Sequence, residues 1–261
     1  MMNNALIGYS GFVGSTLLKQ ANFENLYRST NIQDIKGHNF DTLVCAGAPA
    51  QKWIANKDPA SDLKKIKNLI SYLKTVECKQ FILISTVDVF KSPIDVDENI
   101  KIDEEDLCAY GLHRRLLEKF VESRFKNHLI IRLPGLVGPG LRKNVIFDFL
   151  NDNNVIMIES SSIFQFYPMV NLWSDIQTAL ANNLKLVHLT AEPVSVADIA
   201  SEGFGFNFSH TLERPPACYN MRSIYATLFA GRDNYQYSQK ETLLAVRSYA
   251  QSEPKTSKGK N

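Results

Sequence analysis

The chain predicts an α/β protein, a doubly wound parallel sheet with a small C-terminal α/β subdomain. Three observations carry this. Short, wholly apolar segments recur through the first half, as strands buried on both faces do. Segments with apolar residues at helical spacing stand between them. A glycine-rich turn, Gly8-Tyr9-Ser10-Gly11-Phe12-Val13-Gly14, joins the first apolar segment to the first helical one. Strands alternating with helices imply βαβ units and parallel pairing.

Each element follows in order. Ala5 to Gly8 is a short buried strand and Phe12 to Gln20 a helix. Asn25 to Arg28 and Asp41 to Ala46 read as strands two and three. Only about a dozen residues separate them, too few for a strand-plus-helix crossover, so the sheet is expected to be trimmed near one edge. Pro59 to Val76 places Leu63, Ile66, Ile70 and Leu73 on one helical face and lysines on the other. Phe81 to Ile84 and His128 to Arg132 are further strands. Tyr110 to Phe125, between them, is a helix with Leu116, Leu117 and Phe120 inward. Beyond Pro139 the pattern loosens. Helices are expected over 145–150, 175–182 and 239–251, and strands over 155–158 and 186–189. A helix also begins at Ser195, three residues before Asp198, an acidic relative of the capping box. Arg214-Pro215-Pro216 is a loop, and the polar, basic residues 252–261 read as a disordered tail.

Composition narrows the function classes. With 261 residues and ordinary apolar content the chain can bury its own core without disulfides or metal. A net charge of +2, from 29 basic and 27 acidic residues, gives no sign of a nucleic-acid binder. The four cysteines are scattered, without CxxC or zinc spacing, so no metal site is expected. Cys45 and Cys108 read as small buried hydrophobes in a reducing compartment. No segment approaches the roughly 20 apolar residues of a membrane span, and the N-terminus lacks the basic and apolar regions of a signal peptide. The chain reads as soluble and cytoplasmic, with no membrane partner.

The glycine turn has the context that a dinucleotide fingerprint requires, strand before and helix after. Gly8 permits the tight turn, Gly11 the approach of a pyrophosphate, and Gly14 the close packing of helix on strand. Ser10, Phe12 and Val13 complete the cradle, with the first N–H groups of the helix facing the phosphates. The second strand ends Leu26-Tyr27-Arg28-Ser29-Thr30, with no acid to bind a ribose 2′-hydroxyl and with an arginine suited to a 2′-phosphate. NADP(H) is therefore expected over NAD(H).

Several segments, in order, resemble the extended short-chain dehydrogenase/reductase family, the NAD-dependent epimerase/dehydratases. The turn has that family's GxxGxxG. Cys45-Ala46-Gly47-Ala48 is similar to its small-residue loop after the strand lining the cofactor. Ile84 to Phe90 (ISTVDVF) resembles its "STDEVY" strand end, and Tyr110-Gly111-Leu112-His113-Arg114 its "YGxxK", with Glu118 where a glutamate often follows. Arg132-Leu133-Pro134-Gly135-Leu136-Val137-Gly138-Pro139-Gly140 is similar to "RxxNVYGPG". The resemblance covers residues 4–176 and implies a Rossmann-like fold and hydride chemistry on a hydroxylated substrate. Tyr110 would be the acid/base, and Thr86, with Ser85 as its neighbour, would bond the reacting oxygen. A cation must favour the phenolate, because a phenol near pKa 10 is a poor base. Ala46, Gly47, Ala48, Leu133, Pro134, Tyr110 and Arg114 would line the cofactor.

This sequence departs from the family at three points. Arg114 stands where lysine is expected, one helical turn from Tyr110, and a guanidinium does not reproduce a lysine's bond to the nicotinamide ribose by default. Asp88 is acidic but Val87 is not, so the acid pair of the sugar dehydratases lacks one member. Asp62 falls where an asparagine is common. His113 is a further candidate proton carrier.

Residues 1–140 with part of 163–190 are read as the dinucleotide-binding domain, and 141–162 with 191–251 as the substrate subdomain. Arg142, Lys143, Arg214, Arg222 and Arg232 are candidate diphosphate contacts, and the aromatic-rich stretch from Tyr219 to Tyr237 a candidate base-stacking element. The expectation is an NAD(P)-dependent oxidoreductase or epimerase with catalytic Tyr110, Thr86, Arg114, Ser85 and Asp88. It would act on a nucleotide-activated sugar or similar metabolite. The resemblance also implies a homodimer paired through the tyrosine helix. The alternative is a non-catalytic cofactor binder acting as redox sensor or scaffold.

Overall fold

A computed structural model describes residues 3–256. The first half contains β1 (Asn4–Ile7), α1 (Phe12–Gln20), β2 (Asn25–Tyr27), β3 (Asn39–Cys45), α2 (Lys52–Lys57), α3 (Pro59–Leu73), β4 (Glu77–Thr86), β5 (Ile94–Val96), α4 (Ala109–Arg124) and β6 (His128–Leu133). The second adds β7 (Gly135–Val137), α5 (Val145–Asn151), β8 (Ile163–Phe164), β9 (Phe166–Pro168), α6 (Leu172–Ala181), β10 (Leu186–His188), β11 (Val194–Ser195), α7 (Val196–Asp198), β12 (Asn220–Met221) and α8 (Gln239–Ser252).

Six strands form one parallel sheet in the order β10-β6-β4-β3-β1-β2. Strand alternation sends side chains to both faces. Ala5 and Ile7 of β1 join Leu43, Ile66, Leu73, Phe81, Leu117 and Val121 under α3 and α4. Leu6, between them, joins Leu17, Val44, Ile82, Leu172 and Ile176 under α1 and α6. Each such Leu, Ile, Val or Phe, fully buried, contributes about 1.5–3 kcal/mol relative to exposure. This is the expected doubly wound architecture. The short β2–β3 connection is filled by a single 3₁₀ turn, Ile32–Ile35, so β2 is the sheet edge, as its length implied.

A further apolar cluster draws Leu141, Ile146, Phe149, Val194, Ile199, Val246 and Tyr249 together around α5 and α8. Ser195 caps α7 by accepting from the Asp198 N–H, and the chain continues into a wider π turn, Ile199–Phe204. Ser238 and Glu241 form a reciprocal capping box at the start of α8.

Four expectations are corrected. Residues 155–158 are not a strand but a 3₁₀ turn, Val155–Met157, entered through Asn154 in the left-handed region at φ 51°; Ile156 and Met157 are exposed. Leu116 is exposed, because its neighbour Leu117 takes the inward position on α4. Cys108 is exposed, being the residue that precedes α4, whereas Cys45 lies buried at the end of β3. The tail begins later than expected: α8 includes Ser252, and Thr256 donates to Asn151 Oδ1 from its N–H at 2.7 Å and its hydroxyl at 2.6 Å. The rest of the expected tail, 257–261, lies outside the described residues. Among the described residues no helix is long and apolar enough to cross a membrane.

Candidate active site

Parallel strands bring the ends of β1, β3, β4 and β6 to one edge of the sheet, where α/β proteins bind ligands. At the end of β1, Gly8 adopts φ +86°, a conformation that favours glycine. A Cβ on Gly14 would overlap the Gly8 carbonyl, so that glycine is demanded by helix-on-strand packing. Gly11 is different. A Cβ there would meet only the Gly8 carbonyl oxygen, at 3.4 Å, in ordinary contact. Gly11 is also the N-cap of α1 and supplies no side-chain cap, leaving the first N–H groups of Phe12 and Val13 to a ligand. Ser10 and Gly11 are exposed at this turn, while Ala46 and Gly47 pack against Gly8 and Ile7 from the end of β3. The geometry fits a dinucleotide pyrophosphate.

Arg28 projects from the end of β2 into solvent. Its guanidinium lies 5.8 Å from the Tyr9 ring centre, and its Nε donates to Thr30 Oγ1 at 3.0 Å.

Tyr110 occupies the first turn of α4 and is 8% exposed. Gly111 makes its position attainable: a Cβ there would overlap the Asp88 carbonyl, so only glycine lets α4 close onto the turn after β4. The Tyr110 N–H donates to Asn56 Oδ1 at 3.0 Å, and the Thr86 side chain favours the ionised form of its phenol. Burial pushes the phenol above its ordinary pKa. Arg114, Thr86 and Lys52 pull it down and Asp88 pushes it up, but burial prevails. The cation expected to bring this phenol toward working pH does not do so in the described state.

Arg114 is also engaged by Asp62. The Arg114 guanidinium stacks on the Tyr110 ring at 3.9 Å, yet its two terminal nitrogens grip Asp62, Nη1 to Oδ2 at 2.5 Å and Nη2 to Oδ1 at 3.0 Å. It also donates to the carbonyls of Tyr110 and Pro49. His113 Nδ1 lies 2.7 Å from the same Asp62 oxygen. Burial opposes the Asp62 carboxylate, but hydrogen bonds from Arg114 and His113 hold it below the usual range. His113 is thus buried behind Arg114, on Asp62. Arg114 Nε has no hydrogen-bond partner among the described residues.

Asp88 lies on the far side of Thr86, its Oδ2 3.4 Å from the Thr86 hydroxyl. Lys52 pairs with Asp88 Oδ1 at 2.7 Å, and the Tyr219 hydroxyl lies 3.4 Å from both Lys52 Nζ and Asp88 Oδ1. Burial opposes the Lys52 ammonium, but Asp88 and Tyr219 outweigh it and hold its pKa above the ordinary value. Lys143 reaches across to donate to the Ala50 carbonyl, with its ammonium pulled down by burial and by Arg114.

Two candidates point elsewhere. Ser85 turns away from Tyr110 and donates to Glu118 Oε1 at 2.6 Å. Glu118 is fully buried and also holds Arg132, Nε at 3.0 Å and Nη2 at 2.8 Å, and Arg115 at 2.9 Å, so Ser85 belongs to a structural ion network. Leu133 is a buried core residue paired with Thr86 across the sheet, and only Pro134 after it reaches the strand-end edge. Of the basic residues beyond Gly140, Lys143 approaches Asp88, Arg222 pairs with Asp95 at 2.7 Å, and Arg214 donates to the Met157 carbonyl. Arg142 and Arg232 make no ion pair among the described residues. Lys52 and Asn56 carried no local sequence signal; both act across more than 30 residues. Among the described residues no group of three or more His, Cys, Asp or Glu could hold a metal ion.

No protein-family model matches the sequence, and no curated protein matches it. Solved structures do. A dTDP-4-dehydrorhamnose reductase from Clostridium acetobutylicum is similar over 96% of this chain and 99% of its own, with a TM-score of 0.71 at 17% identity. RMD from Pseudomonas aeruginosa, solved with NADPH, gives 0.68 at 16% identity over 96% of this chain and 99% of its own. The Bordetella bronchiseptica enzyme WbmG, solved with NAD, gives 0.74 at 14% identity over 96% and 94%. The fold that the sequence motifs imply is the fold of these proteins.

Proposed function

We propose that this chain is an NAD(P)-dependent oxidoreductase or epimerase acting on a nucleotide-activated sugar or a similar hydroxylated metabolite. The observation that carries the reading is Tyr110, held between Thr86 and the Arg114 guanidinium at the strand ends beside an open glycine turn. The solved neighbours supply fold-level support, two of them being named with a nicotinamide dinucleotide bound. The residues fit such a cofactor. Gly11 leaves space over free helix N–H groups, and Arg114 Nε is an orphaned buried donor, costing about 1–3 kcal/mol until a partner arrives. Gly8, Ser10, Phe12, Val13 and Gly14 would hold the pyrophosphate, Arg28 a 2′-phosphate, and Ala46, Gly47, Ala48, Pro134 and Arg114 the remainder. When bound, the cofactor supplies or accepts hydride. Tyr110 passes the proton to or from the substrate oxygen, and Thr86 orients that oxygen. Asp88 and Lys143 line the same space. The substrate subdomain is assigned to 141–162 and 191–251, and pairing of two copies through α4 is part of the proposal.

The test has two arms. NADPH and NADH are titrated by fluorescence, with binding of NADPH expected. Tyr110→Phe is expected to abolish turnover on a sugar-nucleotide panel while leaving cofactor affinity nearly intact; retained turnover sinks the assignment. The Arg114–Asp62 pair specifically favours a second reading, a cofactor binder without chemistry. It predicts no wild-type turnover and a gain of activity in Arg114→Lys.

A further inference from the structure

We propose that Lys52 is a positioning residue for Tyr110. By cancelling the charge of Asp88, it sets how readily the Tyr110 phenol gives up its proton. The inference rests on the reading of Tyr110 as the proton carrier, and goes beyond it to a residue outside the motifs.

The charges around Tyr110 come from several elements. On its own helix Arg114 stacks on the ring and favours the phenolate, while it is tied two-handed to Asp62 with His113 behind. From the turn after β4, Asp88 contributes an anion that opposes the phenolate. From α2, Lys52 meets that anion at 2.7 Å and itself favours the phenolate. Beyond them stand the Tyr219 hydroxyl, 3.4 Å from both partners, and Lys143, whose ammonium interacts with Asp88 and Arg114. Removing Lys52 leaves Asp88 facing Tyr110 without its nearest counter-ion.

The geometry is directional. One Asp88 oxygen is turned to Lys52 and Tyr219, and the other to the Thr86 hydroxyl, a side chain that favours the Tyr110 phenolate. The same short helix also supplies Asn56, which accepts the Tyr110 N–H at 3.0 Å. Lys52 and Asn56 are four residues apart and share a helical face. So α2 fixes the backbone of Tyr110 with one side chain and its electrostatic setting with the other. The family pattern assigns the tuning to the residue four after the tyrosine; in this chain Lys52 and Asp88 add to what Arg114 does there.

The experiment reads Tyr110 directly, with no cofactor or substrate. Protein labelled with 3-fluorotyrosine is titrated by ¹⁹F NMR, the Tyr110 resonance being the one lost in Tyr110→Phe. Lys52→Met is expected to move its titration up by about 1 pH unit, the size of a neighbouring-charge effect. Lys52→Arg restores it. Asp88→Asn moves it down. The double variant Lys52→Met/Asp88→Asn returns it to the wild-type position, because both charges are gone. An unchanged titration in Lys52→Met overturns the proposal. An upward shift that persists in the double variant also overturns it, since displacement rather than charge is then responsible. If the shifts appear as expected but the wild type turns over no substrate, this inference stands and the enzymatic reading falls.

Discussion

Arg114 holds Asp62 with both terminal nitrogens of its guanidinium, at 2.5 and 3.0 Å, beneath the ring of Tyr110. Both are nearly fully buried, 3% and 5% exposed. Two departures from the family pattern, an arginine for a lysine and an acid for an asparagine, are thereby one feature: each charge neutralises the other.

Removing one partner strands the other in the interior. Asp62→Ala is therefore expected to cost about 3–5 kcal/mol, read as a lower urea midpoint at unchanged slope. A loss under about 1 kcal/mol contradicts the pair's structural role.

Gly11 and Gly14 separate two kinds of demand. Gly14→Ala drives a methyl into the Gly8 carbonyl and is expected to lower the melting temperature sharply. Gly11→Ala meets no protein atom closer than 3.4 Å, so the fold should survive while the methyl stands where a pyrophosphate would pass. The checks are thermal unfolding and NADPH titration for both variants. Full NADPH affinity in a folded Gly11→Ala protein argues against the turn as a phosphate site.

Arg28 lies exposed beside Tyr9, free to meet a 2′-phosphate. Arg28→Ala should weaken NADPH about tenfold, near the value of one charge-assisted hydrogen bond, and leave NADH unaffected. Equal losses for the two cofactors refute that role.

His188 is fully buried against Arg132. Burial first, and the arginine second, lower its pKa from 6.5 to about 3. Between those values the unfolded chain binds a proton that the folded chain refuses. This group's contribution to stability therefore falls as pH drops from about 6.5 toward 3, by at most about 1.4 kcal/mol per unit. Asp175 and Glu98, whose carboxyls burial raises, pull the opposite way. Imidazole NMR isolates the histidine: His188 should show no titration down to about pH 4, and an ordinary transition near 6.5 rules the argument out.

The sheet was legible because its signals are local. Buried strands are short apolar runs, and α1 is announced by Gly8, Gly11 and Gly14. The missing second crossover could be read from the distance between Arg28 and Asp41. Where packing decides, sequence failed: Val155-Ile156-Met157 has a strand's composition but no partner strand, and Ser85 looks like a second catalytic hydroxyl until Glu118 claims it. The tyrosine, its threonine and the odd arginine were legible as motif positions. That Arg114 is spent on Asp62, and that Lys52 stands behind Asp88, are contacts across 52 and 36 residues that no spacing rule encodes.

The trimmed edge has a consequence for self-association. A sheet border normally exposes a row of unpaired amides that a second chain can extend. Here β2 has only three residues, and the turn beyond it folds back on its outer side. Asn31 Oδ1 accepts the Arg28 N–H at 2.7 Å while its Nδ2 donates to the Leu26 carbonyl at 3.0 Å. One asparagine thus occupies two backbone groups at this edge, shortening the row that strand-to-strand growth could use.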